Sequence, residues 1–258
     1  MIHIKSSIKL FIILVFFSNY LVSENLNRIL FVGNSYLYYN DSIHNHTERL
    51  LIEYYKDNGI VTKSATIGGS KLHNHNIDHL LNPENLQSDK QVDLLIMQGG
   101  STEVKTPESR TKFSETAVKF SNKAHRLGIK TALYMTHAYL ENDKRYEPDL
   151  IEKIKKTYYE AGMRSDSLVI PVGLAYEIAY EENSKIKLHH PDGTHPGLLG
   201  TYLGACTVFA IITNSSPEGL LYNYFNRISD EDRNFLQKIA WKAYLKNKNL
   251  LNKLKYKK

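Results

Sequence analysis

Arg28-Ile29-Leu30-Phe31-Val32-Gly33-Asn34-Ser35 is an apolar run that stops at a glycine and two polar residues. Continuous rather than alternating apolar character is expected of a parallel strand buried on both faces. Further short runs recur at 61–67, 94–97, 131–135 and 168–172, most of them continuous as well, starting about 32 to 37 residues apart. That is the length of chain a strand–helix–strand crossover takes.

Helical patterns lie between the runs. Phe113, Ala117, Phe120, Ala124 and Leu127 step by four and three, and Gly128 follows as a stop signal. Asp41 or Ser42 can cap a helix carrying Ile43, Leu50, Leu51 and Tyr54, and Pro148 can start another through Ile154 and Tyr158 to Gly162. Residues 198–212 are apolar almost all round and predict the most buried helix, while 229–250 predict a closing amphipathic helix. Strand then helix, five times over, predicts an α/β fold: a flavodoxin-like three-layer α/β/α sandwich with an open parallel sheet of about five strands and right-handed crossovers. The sequence has neither an internal repeat nor a Pro-, Gly- or Ser-rich linker, so residues 24–258 are expected to form a single domain, with the amphipathic helix and a basic tail over about 229–258.

Composition narrows the class. With 258 residues, 42% hydrophobic and 23% charged, the chain can bury a substantial core, and disorder is excluded. Lys5 and Lys9 precede an apolar run at 10–17 and a more polar end at Leu21-Val22-Ser23, the pattern of a secretory signal peptide over residues 1–23. The run falls short of the roughly 20 apolar residues of an ordinary membrane span; an uncleaved anchor is the alternative. Secretion or a periplasmic location is therefore expected. Cys206 stands alone, which excludes disulfide scaffolds and cysteine metal sites. The formal charge of +6 becomes +4 without the leader lysines, and six lysines within 246–258 account for the remainder, leaving a nearly neutral body. A solvated helix end explains such a tail, weak contact with an anionic surface is the alternative, and no nucleic-acid partner is expected.

In a parallel sheet ligands bind beyond the carboxyl ends of the strands. There the sequence places Gly33-Asn34-Ser35-Tyr36, Gly68-Gly69-Ser70 and Gln98-Gly99-Gly100-Ser101-Thr102, and, ahead of the buried helix, Asp192-Gly193-Thr194-His195-Pro196. A serine hydroxyl needs a neutral imidazole within reach to become a nucleophile, and an aspartate three residues before the histidine can hold Nδ1–H across a tight turn. Taken singly, each segment is ordinary turn or cap chemistry.

In this order the segments resemble the SGNH, or GDSL-like, hydrolases over about 28–212, and specifically a Gly-Asn-Ser branch whose third block reads Gln-Gly-x-Ser, as in sialate-acetylesterase-like members. The resemblance implies a Ser35-His195-Asp192 triad and an oxyanion hole made of the Ser35 and Gly69 backbone N–H groups with a side-chain amide. For that third donor Gln98 is the choice and Ser101 the alternative, since the common Asn of block three is missing. Asn34, Tyr36, His75 and His137 are candidate substrate contacts, and His189 and His190 lie near the site through their closeness to Asp192. Tyr36, Tyr38 and Tyr39 offer stacking surfaces for sugars. The implied activity is hydrolysis of a carboxylic ester, a small acyl group on a carbohydrate, through an acyl-enzyme and without a cofactor. Transfer to an alcohol with the same triad, or non-catalytic carbohydrate binding on the same fold, are the alternatives. Oligomeric state is not legible.

Other chemistries fit poorly. His73, His75 and His79 are closely spaced, but no Glu completes a His-Glu-x-x-His pattern, so no metal is expected. Gly68-Gly69-Ser70-Lys71 lacks the spacing of a phosphate loop, and no Gly-x-Gly-x-x-Gly opens the first helix. The leader reading predicts removal near Ser23, so intact-mass analysis of exported protein should give a chain starting at Glu24 or a close neighbour; a mass that retains Met1 would point to an anchor.

Overall fold

A computed structural model describes residues 26–100 and 102–255. The expected leader at 1–23, Ser101 and the last three lysine-rich positions lie outside the described residues. The elements, in chain order, are β1 (Arg28–Gly33), α1 (Ser35–Tyr38), α2 (Ile43–Tyr55), β2 (Val61–Thr66), α3 (Ile77–Leu80), β3 (Leu94–Met97), α4 (Pro107–Arg126), β4 (Lys130–Tyr134), α5 (Leu150–Ser165), β5 (Leu168–Ile170), α6 (Val172–Glu182), α7 (Leu198–Thr213) and α8 (Asp230–Lys255).

The five strands form one sheet in the order β2-β1-β3-β4-β5, every neighbouring pair parallel. Apolar residues on both sides of β1, β3, β4 and β5 build two cores, while the edge strand β2 is mostly polar and half exposed. Ile29, Phe31, Leu94, Ile96, Ala132 and Tyr134 face the layer of α2, α6, α7 and α8. Leu30, Val32, Leu95, Met97, Leu133 and Met135 face the layer of α4 and α5. This two-sided burial is the reason those four strands read as unbroken apolar runs. The order reverses between β1 and β3, and the crevice at that switch point is where such sheets bind ligands.

Three expectations change in detail. The β2–β3 connection carries no full helix, only α3 and 3-10 turns at Leu72–Asn74 and Pro83–Leu86. Its Asn and Pro residues favour caps and turns over a helix interior: the side chains of Asn76 and Asn82 both cap the backbone. An additional helix, α6, begins at Val172, because Pro171 ends the β5 run and opens a helix. The helix expected from Pro148 starts at Leu150, with Asp149 at its N-cap position. By contrast α4 ends at Arg126, and Gly128 takes the left-handed φ of +75° that the stop signal needs.

Helix α7 is buried from Gly200 through Ile212, as its all-round apolar sequence requires. Cys206 lies within it, fully buried, and burial pushes its thiol pKa up. In native protein Cys206 should therefore resist a colorimetric disulfide reagent and react only as denaturant unfolds the chain; rapid labelling under native conditions would contradict the buried position of α7.

Candidate active site

The loops that follow β1, β2 and β3 are tied together by two amides. The Asn34 N–H donates to Gln98 Oε1 at 2.9 Å, and Asn34 Nδ2 donates to the Ser70 carbonyl at 2.9 Å. Asn34 Oδ1 accepts from the Tyr36 N–H at 3.2 Å, capping α1 and starting that helix at Ser35. Gly33 makes the crossing possible, because a methyl group there would meet the Gln98 amide and Leu37. Ser35 thus stands at the first helical position, where a backbone N–H has no partner within the helix. Gly69, at φ +68°, is exposed in the loop after β2. No described residue accepts a hydrogen bond from the Ser35 or Gly69 N–H.

The second half of the site comes from the turn before α7. Asp192 Oδ1 accepts the N–H groups of Thr194 and His195, both at 2.9 Å, which closes a turn around Gly193 at φ +72°. Asp192 Oδ2 lies 2.7 Å from His195 Nδ1, and His195 Nε2 lies 2.9 Å from Ser35 Oγ. A carboxylate only accepts, so Nδ1 carries the proton and Nε2 is left to accept from the serine hydroxyl. Desolvation raises the Asp192 pKa, but the hydrogen bonds from His195 and Thr194 outweigh it and hold the carboxyl well below the usual carboxylate range. The Tyr39 ring lies 4.2 Å from the His195 ring at an interplanar angle of 6°, so it fixes the plane of the imidazole.

Beneath the turn are groups that position it. His137 donates Nε2–H to the Thr194 carbonyl at 2.8 Å and stacks on Tyr176 at 4.3 Å. His189 donates Nε2–H to the Ala138 carbonyl at 2.9 Å and accepts the Tyr180 hydroxyl at Nδ1, 2.7 Å away. The Asp143 carboxylate accepts from Arg145 Nε at 2.9 Å and Nη2 at 2.6 Å and from the Thr194 hydroxyl. The Arg145 contact outweighs desolvation and keeps the Asp143 carboxyl well below its ordinary value. Leu140 N–H donates to the Gly193 carbonyl at 2.9 Å and Asn142 Nδ2 to that of Pro191 at 3.0 Å. The loop between β4 and α5 therefore grips the Asp192 turn along its length.

Ser35, His195 and Asp192 are brought together, and Gly69 lies in the loop after β2, which Asn34 ties to the nucleophile segment through the Ser70 carbonyl. Several expected contacts are structural instead. Gln98, 1% exposed, turns Oε1 to Asn34 and Nε2 to the Gly99 carbonyl, so its amide braces the loops instead of presenting a donor to the pocket. His75 is buried with Nε2 3.0 Å from Ser70 Oγ, and His137, 2% exposed, lies under the turn rather than on the rim. Asn34 and Tyr36 are also buried, the latter edge-on to His195 at 5.8 Å. Small or neutral polar side chains at strand ends satisfy backbone groups before they can serve a ligand. Ser101 lies outside the described residues. His73 and His79 do not join His75: His73 Nδ1 stands 3.8 Å from Glu103 Oε1, and His79 is exposed on α3. Tyr39, expected as a stacking surface for sugars, stacks on His195 instead, and the positioning roles of Asp143 and Arg145 carried no sequence signal.

No protein-family model matches the chain, and no curated relative matches it. Solved structures do. A DUF4886 family protein from Bacteroides uniformis is 19% identical, with a TM-score of 0.66 over 84% of this chain and 94% of its own. A Slackia heliotrinireducens protein assigned to the SGNH hydrolases is 22% identical, with a TM-score of 0.59 over 73% of this chain and 100% of its own. A variant of an acetyl-xylooligosaccharide esterase from Geobacillus is 14% identical, with a TM-score of 0.57 over 72% of this chain and 94% of its own. At these identities the likeness is one of fold, and the chain has the fold of the SGNH, GDSL-like hydrolases.

Burial lowers the pKa of His46 and takes that of His137 well below its ordinary 6.5. Below about pH 6.5 the unfolded chain therefore binds more protons than the folded one, and stability is lost as pH falls from there toward the folded values. The urea midpoint should drop between about pH 7.5 and 5, and His137→Gln should flatten that drop; an unchanged slope in the variant would assign it to other groups.

Proposed function

We propose that the protein is a serine esterase that removes a small acyl group, acetyl foremost, from a carbohydrate outside the cytoplasm, without a cofactor. The observation that carries the reading is the continuous chain Ser35 Oγ, His195 Nε2, His195 Nδ1, Asp192 Oδ2, with links of 2.9 and 2.7 Å across the ring. In this mechanism Ser35 Oγ attacks the ester carbonyl carbon as His195 Nε2 takes the hydroxyl proton, and the Asp192 carboxylate stabilises the imidazolium. The oxyanion is received by the N–H groups of Ser35 and Gly69, which have no acceptor among the described residues, each donor of this kind being worth on the order of 100- to 1,000-fold in rate. Collapse expels the alcohol, which takes the proton from His195. Water, deprotonated by the same nitrogen, then attacks the acyl-enzyme and releases the carboxylic acid.

The substrate class rests on the surface beside the nucleophile. Tyr38 is 43% exposed, stacks on Tyr39 at 5.7 Å and places its hydroxyl over Gly68. An exposed aromatic face next to a nucleophile suits a sugar ring. The fold likeness to an acetyl-xylooligosaccharide esterase points the same way.

The purified protein should release 4-nitrophenol from 4-nitrophenyl acetate, and Ser35→Ala should lower kcat by about 10,000-fold or more, since loss of the nucleophile removes the covalent route. Wild-type turnover no faster than buffer, or a variant as fast as wild type, would remove the esterase reading.

A further inference from the structure

The loop that follows α1 has an unusual backbone. Asn40, Asp41 and Ser42 adopt φ values of +53°, +69° and +62°, three successive side-chain-bearing residues in a region that disfavours Cβ. The turn is held from several directions. The Asn40 carbonyl accepts from His46 Nε2–H at 2.8 Å, and because a carbonyl only accepts, His46 Nδ1 is the acceptor for the Tyr222 hydroxyl 2.9 Å away. Asp41 Oδ2 pairs with Arg49 Nη1 at 2.6 Å, and Ser42 Oγ donates to the Leu37 carbonyl at 3.0 Å. Backbone kept in a costly conformation by surrounding bonds calls for a role that the conformation serves.

That role is visible in what the turn aims. Both amide protons of Asn40 Nδ2 are used on the far segment: one on the Pro196 carbonyl at 2.9 Å, the other on Thr201 Oγ1 at 2.8 Å in the first turn of α7. Pro196 directly follows His195, and Asn40 is five residues after Ser35. We propose that Asn40 is a positioning residue that sets the separation of Ser35 and His195, its left-handed turn existing to carry one amide from the nucleophile segment to the base segment. Those segments are 160 residues apart in sequence and sit on different elements, so the 2.9 Å contact between Oγ and Nε2 needs a tie close to both ends. The α1–α2 turn supplies it on one side of the imidazole, while the grip on the Asp192 turn acts from the other. The kinetic part of the inference rests on the esterase reading; the geometric part does not.

Asn40→Gly separates the side chain from the turn. Glycine accepts φ +53° without strain, so the fold should be kept with at most a modest fall in melting temperature, while both N–H donors are lost. Asn40→Asp keeps the shape but turns a carboxylate oxygen on the Pro196 carbonyl, so the bond to the base segment is lost even though the Thr201 hydroxyl can still donate to the other oxygen. With 4-nitrophenyl acetate both variants should lose about 10- to 100-fold in kcat with KM changed less than about twofold, the signature of misaligned reacting groups. Labelling of Ser35 by a fluorophosphonate should slow in parallel, and a crystal structure of N40G should show the Oγ to Nε2 separation lengthened beyond hydrogen-bond reach. Unchanged labelling in N40G with the separation still at 2.9 Å would overturn the proposal and leave Asn40 a turn residue only. Should wild-type protein turn over no ester, the esterase reading fails, yet the separation measured in N40G still decides the inference.

Discussion

The Asp192 carboxylate is shared between folding and chemistry. One oxygen accepts two backbone N–H groups and closes the turn at Gly193; the other accepts His195 Nδ1–H and so leaves Nε2 free to face Ser35. A group that shapes the loop and selects the tautomer with the same charge couples the two: the imidazole is aimed only when the turn is formed. Charge-assisted bonds of this kind are about twice as strong as neutral ones, which suits a carboxylate at an exposed position.

Everything around that turn serves to keep it in place. The sheet delivers Ser35 to the crevice beside β3, the loop between β4 and α5 supports the turn through Asn142, Leu140, His137 and the Asp143–Arg145 pair, and Tyr39 and Asn40 reach it from the nucleophile side. Many of these contacts use neutral groups in buried places. A neutral histidine such as His137 can satisfy a carbonyl without the desolvation penalty of a buried charge, which is why its proton affinity is lowered where it sits.

Much of this was legible in the chain. Strands β1, β3, β4 and β5 are apolar runs because each is covered on both faces, whereas the edge strand β2 is mostly polar and half exposed; the runs still locate all five to within a few residues. Helix α4 declares itself through its spacing and its glycine stop. The β2–β3 crossover misleads because Asn and Pro there favour local caps, and α6 is hidden because its buried residues merge with the β5 run. At the site, Ser35, His195 and Asp192 could be chosen from their order and from what a nucleophile requires. Gln98, His75 and His137 could not be placed, since the same polar side chain at a strand end can face a ligand or a backbone group, and only its neighbours decide which.

By itself the sequence determined the parallel α/β layering, the approximate strand positions and the three residues able to form a nucleophilic relay, because apolar periodicity and local turn chemistry act over a few residues. Tertiary structure alone decided that the amides of Asn34 and Gln98 join the three loops, that His137 and Arg145 lie beneath the Asp192 turn, and that Asn40 spans to Pro196. Those assignments depend on hydrogen bonds between segments from 36 to 156 residues apart. The partner of a donor at such separations is set by how layers pack and loops meet, which no local pattern records.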